Sequence, residues 1–128
     1  MPFYHATVRP DLLSAAQRRR FAADVVDVHC DVTGAPPSFV HVLVTDDHDG
    51  ALADGLVASV NGTIRAGRDG AQKAEIASRL STALAAHAGV DADAVHTSTR
   101  DIGASFTMEG GVLLPEPGSP EERAWVAG

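Results

Sequence analysis

The feature that most restricts what this chain can fold into is a weak internal repeat. Shifted by 55 residues, Phe21 falls on Ile76, Val25 on Leu80, Gly34 on Gly89, and Val40, His41 and Asp46 on Val95, His96 and Asp101. Each half reads strand, helix, strand. In the first, Phe3 to Arg9 alternates loosely and stops at Pro10. From about Leu13 to Val32, Phe21, Val25, Val28 and Val32 recur at the spacing of a helix with one buried stripe. "TGAPP" ends that helix, since Gly34 suits a left-handed C-terminal position and Pro36 and Pro37 cannot continue the ladder. Ser38 to Asp46, rich in β-branched residues, reads as a strand covered on both faces. The second half repeats the plan with strand-like "LVASVNGTI", a helix from about Gly70 to Ala88 striped by Ile76, Leu80 and Leu84, and strand-like "AVHTSTRDI".

Two consecutive β-α-β units predict one α/β domain over residues 1–128, with halves of about 2–50 and 56–104 and a tail at 105–128. The expected architecture is a mixed four-stranded sheet, parallel within each unit, with both helices on one face. The opposite face is expected to be apolar and covered by neighbouring subunits.

Composition narrows the function. With Asp and Glu at 17 against Lys and Arg at 10, the formal net charge is -7, which repels phosphate backbones, so nucleic acid is not an expected partner. No apolar stretch approaches the roughly 20 residues needed to cross a bilayer, and "MPFYH" lacks the features of a signal peptide. The expectation is a cytoplasmic protein with no membrane partner. Cys30, the single cysteine, reads as a packing residue. "DDHDG" lacks calcium-loop spacing and reads as a turn, and no metal or cofactor is expected.

Against that acidic background, "NGTIRAGRDGAQKAEI" holds Arg65 and Arg68 in a short link between strand and helix. Loops at such strand ends bind ligands in α/β sheets, free helix N–H groups favour anions, and guanidinium groups suit planar carboxylates. Pro2 follows Met1; with the methionine removed it becomes a secondary amine able to exchange a proton near neutral pH if positive charge lies close. His29 lies near the buried stripe of the first helix, where periodicity alone makes it a core histidine. Glu109, in "FTMEGG", precedes a glycine turn.

The segments "MPFYHATV", "DVHCDVTG", "IRAGRDG" and "MEGGVLLPEPG" together give the chain its resemblance to the tautomerase superfamily, and within it to the group of cis-3-chloroacrylic acid dehalogenase. The resemblance implies repeated β-α-β units, a homotrimer and an unblocked N-terminal proline. It implies a site in which Pro2, His29, Arg65, Arg68 and Glu109 match five of the dehalogenase's six residues. An ungapped count of eleven residues back from Glu109 puts Ser98 at the place of the sixth, a tyrosine. Loss of that phenol weakens the case for adding water to an unsaturated acid, whereas keto-enol chemistry needs only a held carboxylate and a proton carrier. The expected activity is therefore cofactor-independent tautomerisation of a small 2-keto or enol carboxylic acid. Pro2, His29, Arg65, Arg68 and Glu109 are the catalytic set, and Arg65, Arg68, His29 and Ser98 bind substrate. The alternatives are a hydratase or dehalogenase of 3-substituted acrylic acids and a non-catalytic trimeric binding protein.

Overall fold

A computed structural model describes residues 1–128. Strand β1 (Phe3–Val8) leads into helix α1 (Ala15–Thr33), strand β2 (His41–Asp46), strand β3 (Ala58–Arg65), helix α2 (Gly70–Ala88) and strand β4 (Val95–Ile102). Beyond these lie a two-stranded hairpin, β5 (Met108–Glu109) and β6 (Val112–Leu113), and a short helix α3 (Pro120–Ala127). The sheet order is β2-β1-β3-β4, parallel within each β-α-β unit and antiparallel between β1 and β3. The expected mixed four-stranded sheet with helices on one face is the observed one.

Local chemistry explains the helix limits. Ser14 accepts the Gln17 N–H at 3.1 Å and Gln17 accepts the Ser14 N–H at 2.7 Å, a reciprocal cap that starts α1. Asp69 and Gln72, 55 residues on, make the same pair at 2.8 and 3.0 Å and start α2. Gly34 and Gly89 end the two helices at φ of 75° and 70°, positions where a side chain would be strained. The repeat thus runs in one register from cap to final strand. It slips in the strands that open the units: Tyr4, Ala6 and Val8 face the helices, whereas Ala58, Val60 and Ile64 do so in β3. An odd shift reverses the face of every strand residue, so the strand-to-helix link must differ in length between the two units.

Between helices and sheet lies one core that includes Tyr4, Phe21, Val25, Ile64, Ile76, Leu80 and Leu84. The reading of Ser38–Asp46 as a strand covered on both faces is corrected here. Residues Pro37–Phe39 form a single 3-10 turn, and β2 is an edge strand whose Val42 and Val44 pack on the core while His41, Leu43 and Thr45 are exposed. The uncovered sheet face is also less apolar than expected. His5 pairs with Thr45 at 2.7 Å and Ser98 donates to Asn61 at 2.7 Å, leaving Phe3 and Leu43 as its exposed apolar members. Most apolar residues of these strands have the parity that faces the helices, Phe3 and Leu43 being exceptions. In the "DDHDG" turn, Asp47 accepts the Ala51 and Leu52 N–H groups at 2.9 and 3.0 Å, so its carboxylate holds the loop together.

Gly62 lies directly across from Tyr4 in the β1–β3 ladder, and a Cβ there would come within 2.5 Å of the tyrosine ring. Because that ring is fully buried, it cannot swing away. Gly62→Ala is expected to destabilise the protein by about 1–3 kcal/mol, the usual range for overpacking a core, measurable by urea unfolding.

Candidate active site

The antiparallel β1–β3 pairing matches Phe3 with Thr63, which carries the start of the chain alongside the end of β3. Since α1 crosses from the end of β1 back to the start of the parallel β2, its last turns also arrive at that end. The result is a pocket with a free volume of about 110 Å³ whose walls include Pro2, His29, Arg65, Arg68, Leu114, Glu122 and Trp125. It is far smaller than the roughly 300–1,000 Å³ of sites for drug-sized ligands, so only a small molecule fits. Its rim contains Thr33, Gly34, Ala35 and Pro36, the stretch that ends α1.

His29 is 2% exposed and sits beside Tyr4, with ring centroids 5.7 Å apart in an edge-to-face arrangement. The Tyr4 hydroxyl lies 2.7 Å from His29 Nδ1 and makes no other hydrogen bond. A fully buried O–H must be donated, and Nδ1 is the acceptor within reach, so the imidazole proton resides on Nε2. Burial, then the charges of Arg68 and the terminal amine, lower the His29 pKa to about 4. The ring is therefore a neutral donor at physiological pH. Burial raises the Tyr4 phenol well above its ordinary range and keeps it protonated.

Arg65 is the last residue of β3, and Arg68 lies in the turn just before the Asp69 cap. Asp69 takes the Gln72 N–H of the helix terminus, so the positive field at the pocket comes chiefly from the two guanidinium groups. Arg65 donates to Pro115 O at 3.2 Å and is ion-paired with Glu122 of α3. Arg68 has no carboxylate partner; its one hydrogen bond is a long contact of 3.5 Å to Thr33 O. Burial, and secondarily the charge of Arg65, hold its pKa below the ordinary arginine value.

Glu109 is ion-paired with the Met1 amine, and Met1 itself lines the pocket. Its position comes from a tight hairpin in which Gly110 and Gly111 have φ of 59° and 80°. Its neighbours Phe106 and Met108 are 83% and 65% exposed, so they do not wrap the carboxylate in apolar surface. The fold thus brings Pro2, His29, Arg65 and Arg68 together, with Glu109 one ion pair away. Ser98 is not brought to this pocket: it lies on the uncovered face of β4, bonded to Asn61.

Neither a protein-family model nor a curated protein matches the sequence. Solved structures do. The crystal structure of native Ps01740 is 37% identical, covers 84% of this chain and 100% of that one, and superposes with a TM-score of 0.77. That of N1, a member of the cis-3-chloroacrylic acid dehalogenase family, is 28% identical over 98% of this chain and 91% of its own, with a TM-score of 0.85. A symmetric trimer of Q0 fused 4-OT is 23% identical over 99% of both chains, with a TM-score of 0.78. The chain belongs to one family with Ps01740, and its fold is that of the tautomerase superfamily. Within this tautomerase fold, the pocket residue Glu122 and the fully buried Tyr4, which bonds the pocket residue His29, are absent from the sequence expectations. Tyr4 carries no local mark beyond its place in a strand, and Glu122 none beyond the acidic pair that follows Pro120. Trp125 of α3 also lines the pocket.

Two outcomes are expected. Tyr4→Phe strands His29 Nδ1 without its donor and should cost about 1–3 kcal/mol in urea unfolding. Separately, His29 has a folded pKa below its unfolded value, so between about pH 6.5 and 4 the unfolded chain binds more protons than the folded one. Its contribution to stability should be fully present above about pH 6.5 and should fall progressively as pH drops toward 4. The stability difference between wild type and His29→Gln, followed across that window, checks the sign.

Proposed function

We propose that this protein is a cofactor-independent tautomerase of small 2-keto or enol carboxylic acids, of the cis-3-chloroacrylic acid dehalogenase-like group, and that it works as a homotrimer. The observation that carries the reading is that Pro2, His29, Arg65 and Arg68, spread over more than half the chain, line one small pocket. The 28% identity to N1 supports the group, and the symmetric trimer formed by the fused 4-OT supports the assembly.

Each residue then has a task. Arg68 and Arg65 attract and hold the substrate carboxylate, which a planar guanidinium grips in a defined orientation. While Met1 is attached, the Pro2 nitrogen is an amide with no basic lone pair, so the reaction requires its removal. The freed amine takes the proton of the enol hydroxyl as the C–O bond becomes a carbonyl. It returns that proton to the carbon whose double-bond electrons capture it, so substrate and product are isomers and nothing else is consumed. His29 Nε2–H, neutral and fixed by Tyr4, hydrogen-bonds the oxygen on which charge develops. Glu109, which pairs with the Met1 amine before that residue is removed, is released by the removal to assist beside the new terminus.

A hydratase or dehalogenase needs a held water as well. With Ser98 bonded to Asn61 outside the pocket, that role would fall to Glu109 alone, which favours tautomerisation. Purified protein should lose one methionine by intact mass and should ketonise an enolic acid such as phenylenolpyruvate. It should release no chloride from a 3-chloroacrylate. Arg68→Ala is expected to lower kcat/KM by about 100-fold, the loss of a charged hydrogen bond in a desolvated site. An unchanged kcat/KM in that variant would end the assignment.

A further inference from the structure

The pocket holds two guanidinium groups in a protein that is otherwise acidic, and the cost of gathering like charges in a partly desolvated cavity must be offset nearby. Among the residues lining it, Glu122 is the one carboxylate. It bonds Arg65 Nη2 and also accepts the Gly118 N–H. The way α3 begins fixes it there: Ser119 caps the helix by accepting the Glu122 N–H at 3.0 Å, and Pro120 follows at the first helical position. Burial alone would raise the Glu122 carboxyl, but the Gly118 N–H and the two arginines bring it below the ordinary glutamate value, so it stays ionised.

Arg65 has five N–H donors, of which Pro115 O and Glu122 take two, so it can still touch a ligand while its charge is balanced. Arg68 has no such partner. Resting on the carboxylate-binding reading above, we infer that Glu122 is a specificity-determining residue: by pairing with Arg65 it leaves Arg68 as the guanidinium with no carboxylate bonded to it, and sets the pocket to accept a monocarboxylate in preference to a dicarboxylate. A dicarboxylate would need Arg65 for its second charge and would find a carboxylate already there.

Calorimetric titration of the full chain with butanoate and with succinate tests this without turnover, since neither acid can tautomerise. Wild type should bind butanoate more tightly. Glu122→Ala, which frees both charge and space at Arg65, should move the ratio toward succinate by about tenfold or more. Glu122→Gln keeps the shape and an acceptor for Gly118; it should move the ratio the same way with little change in melting, and carries the test if the alanine variant loosens α3. An unchanged ratio, or equal tightening of both acids, would overturn the role of Glu122. Failure of wild type to bind either acid would overturn the carboxylate site as a whole. A shifted ratio in a protein without tautomerase turnover would leave this inference standing and overturn the reaction alone.

Discussion

The antiparallel pairing of β1 with β3 is the constraint on which the rest of this structure depends. Without it the two β-α-β units would be separate halves, each with a strand edge to protect and half a core. With it, a four-stranded sheet forms under two helices, and the start of one unit is set beside the strand-to-helix link of the other. Pro2 and Arg65, 63 positions apart, become neighbours in one pocket because the ladder matches Phe3 with Thr63. A one-residue slip would send Tyr4, Ala6 and Val8 to the open face and empty the core beneath α1.

Stability and site chemistry meet at Tyr4. Its ring fills the space that Gly62 leaves across the ladder, and its hydroxyl satisfies the buried nitrogen of His29. The same hydrogen bond that closes the core fixes which imidazole nitrogen carries the proton. A histidine held neutral by burial and by nearby positive charge is a steady donor, insensitive to modest acidification. The periodicity that makes His29 a core residue and the resemblance that makes it a site residue are therefore compatible: one edge of the ring faces the core and the ring also borders the pocket.

Charge in the pocket is arranged across distant segments. Arg65 and Arg68 come from one link, and Glu122 from a helix that begins more than fifty residues later. The 128-residue chain carries an acidic excess, yet the balance at the site rests on a single carboxylate positioned by the cap of α3. Net charge of a chain thus says little about the sign of the field in a small cavity, where the nearest groups dominate over screened surface charges.

The amino-acid sequence by itself determined the elements of the two units. Helix α2 could be read to its end residues, and the glycine stops of both helices likewise, because caps and breakers act within a few residues of where they stand. The arginine pair and the N-terminal proline were visible for the same reason. What only the tertiary structure decided was who meets whom: that β2 is a half-exposed edge, that Ser98 faces away from the pocket onto Asn61, that Tyr4 holds His29, and that Glu122 sits on Arg65. Those contacts span 25 to 57 positions, and no local pattern encodes them; they follow from strand register and helix packing, which bring together residues that carry no mark of one another in the chain.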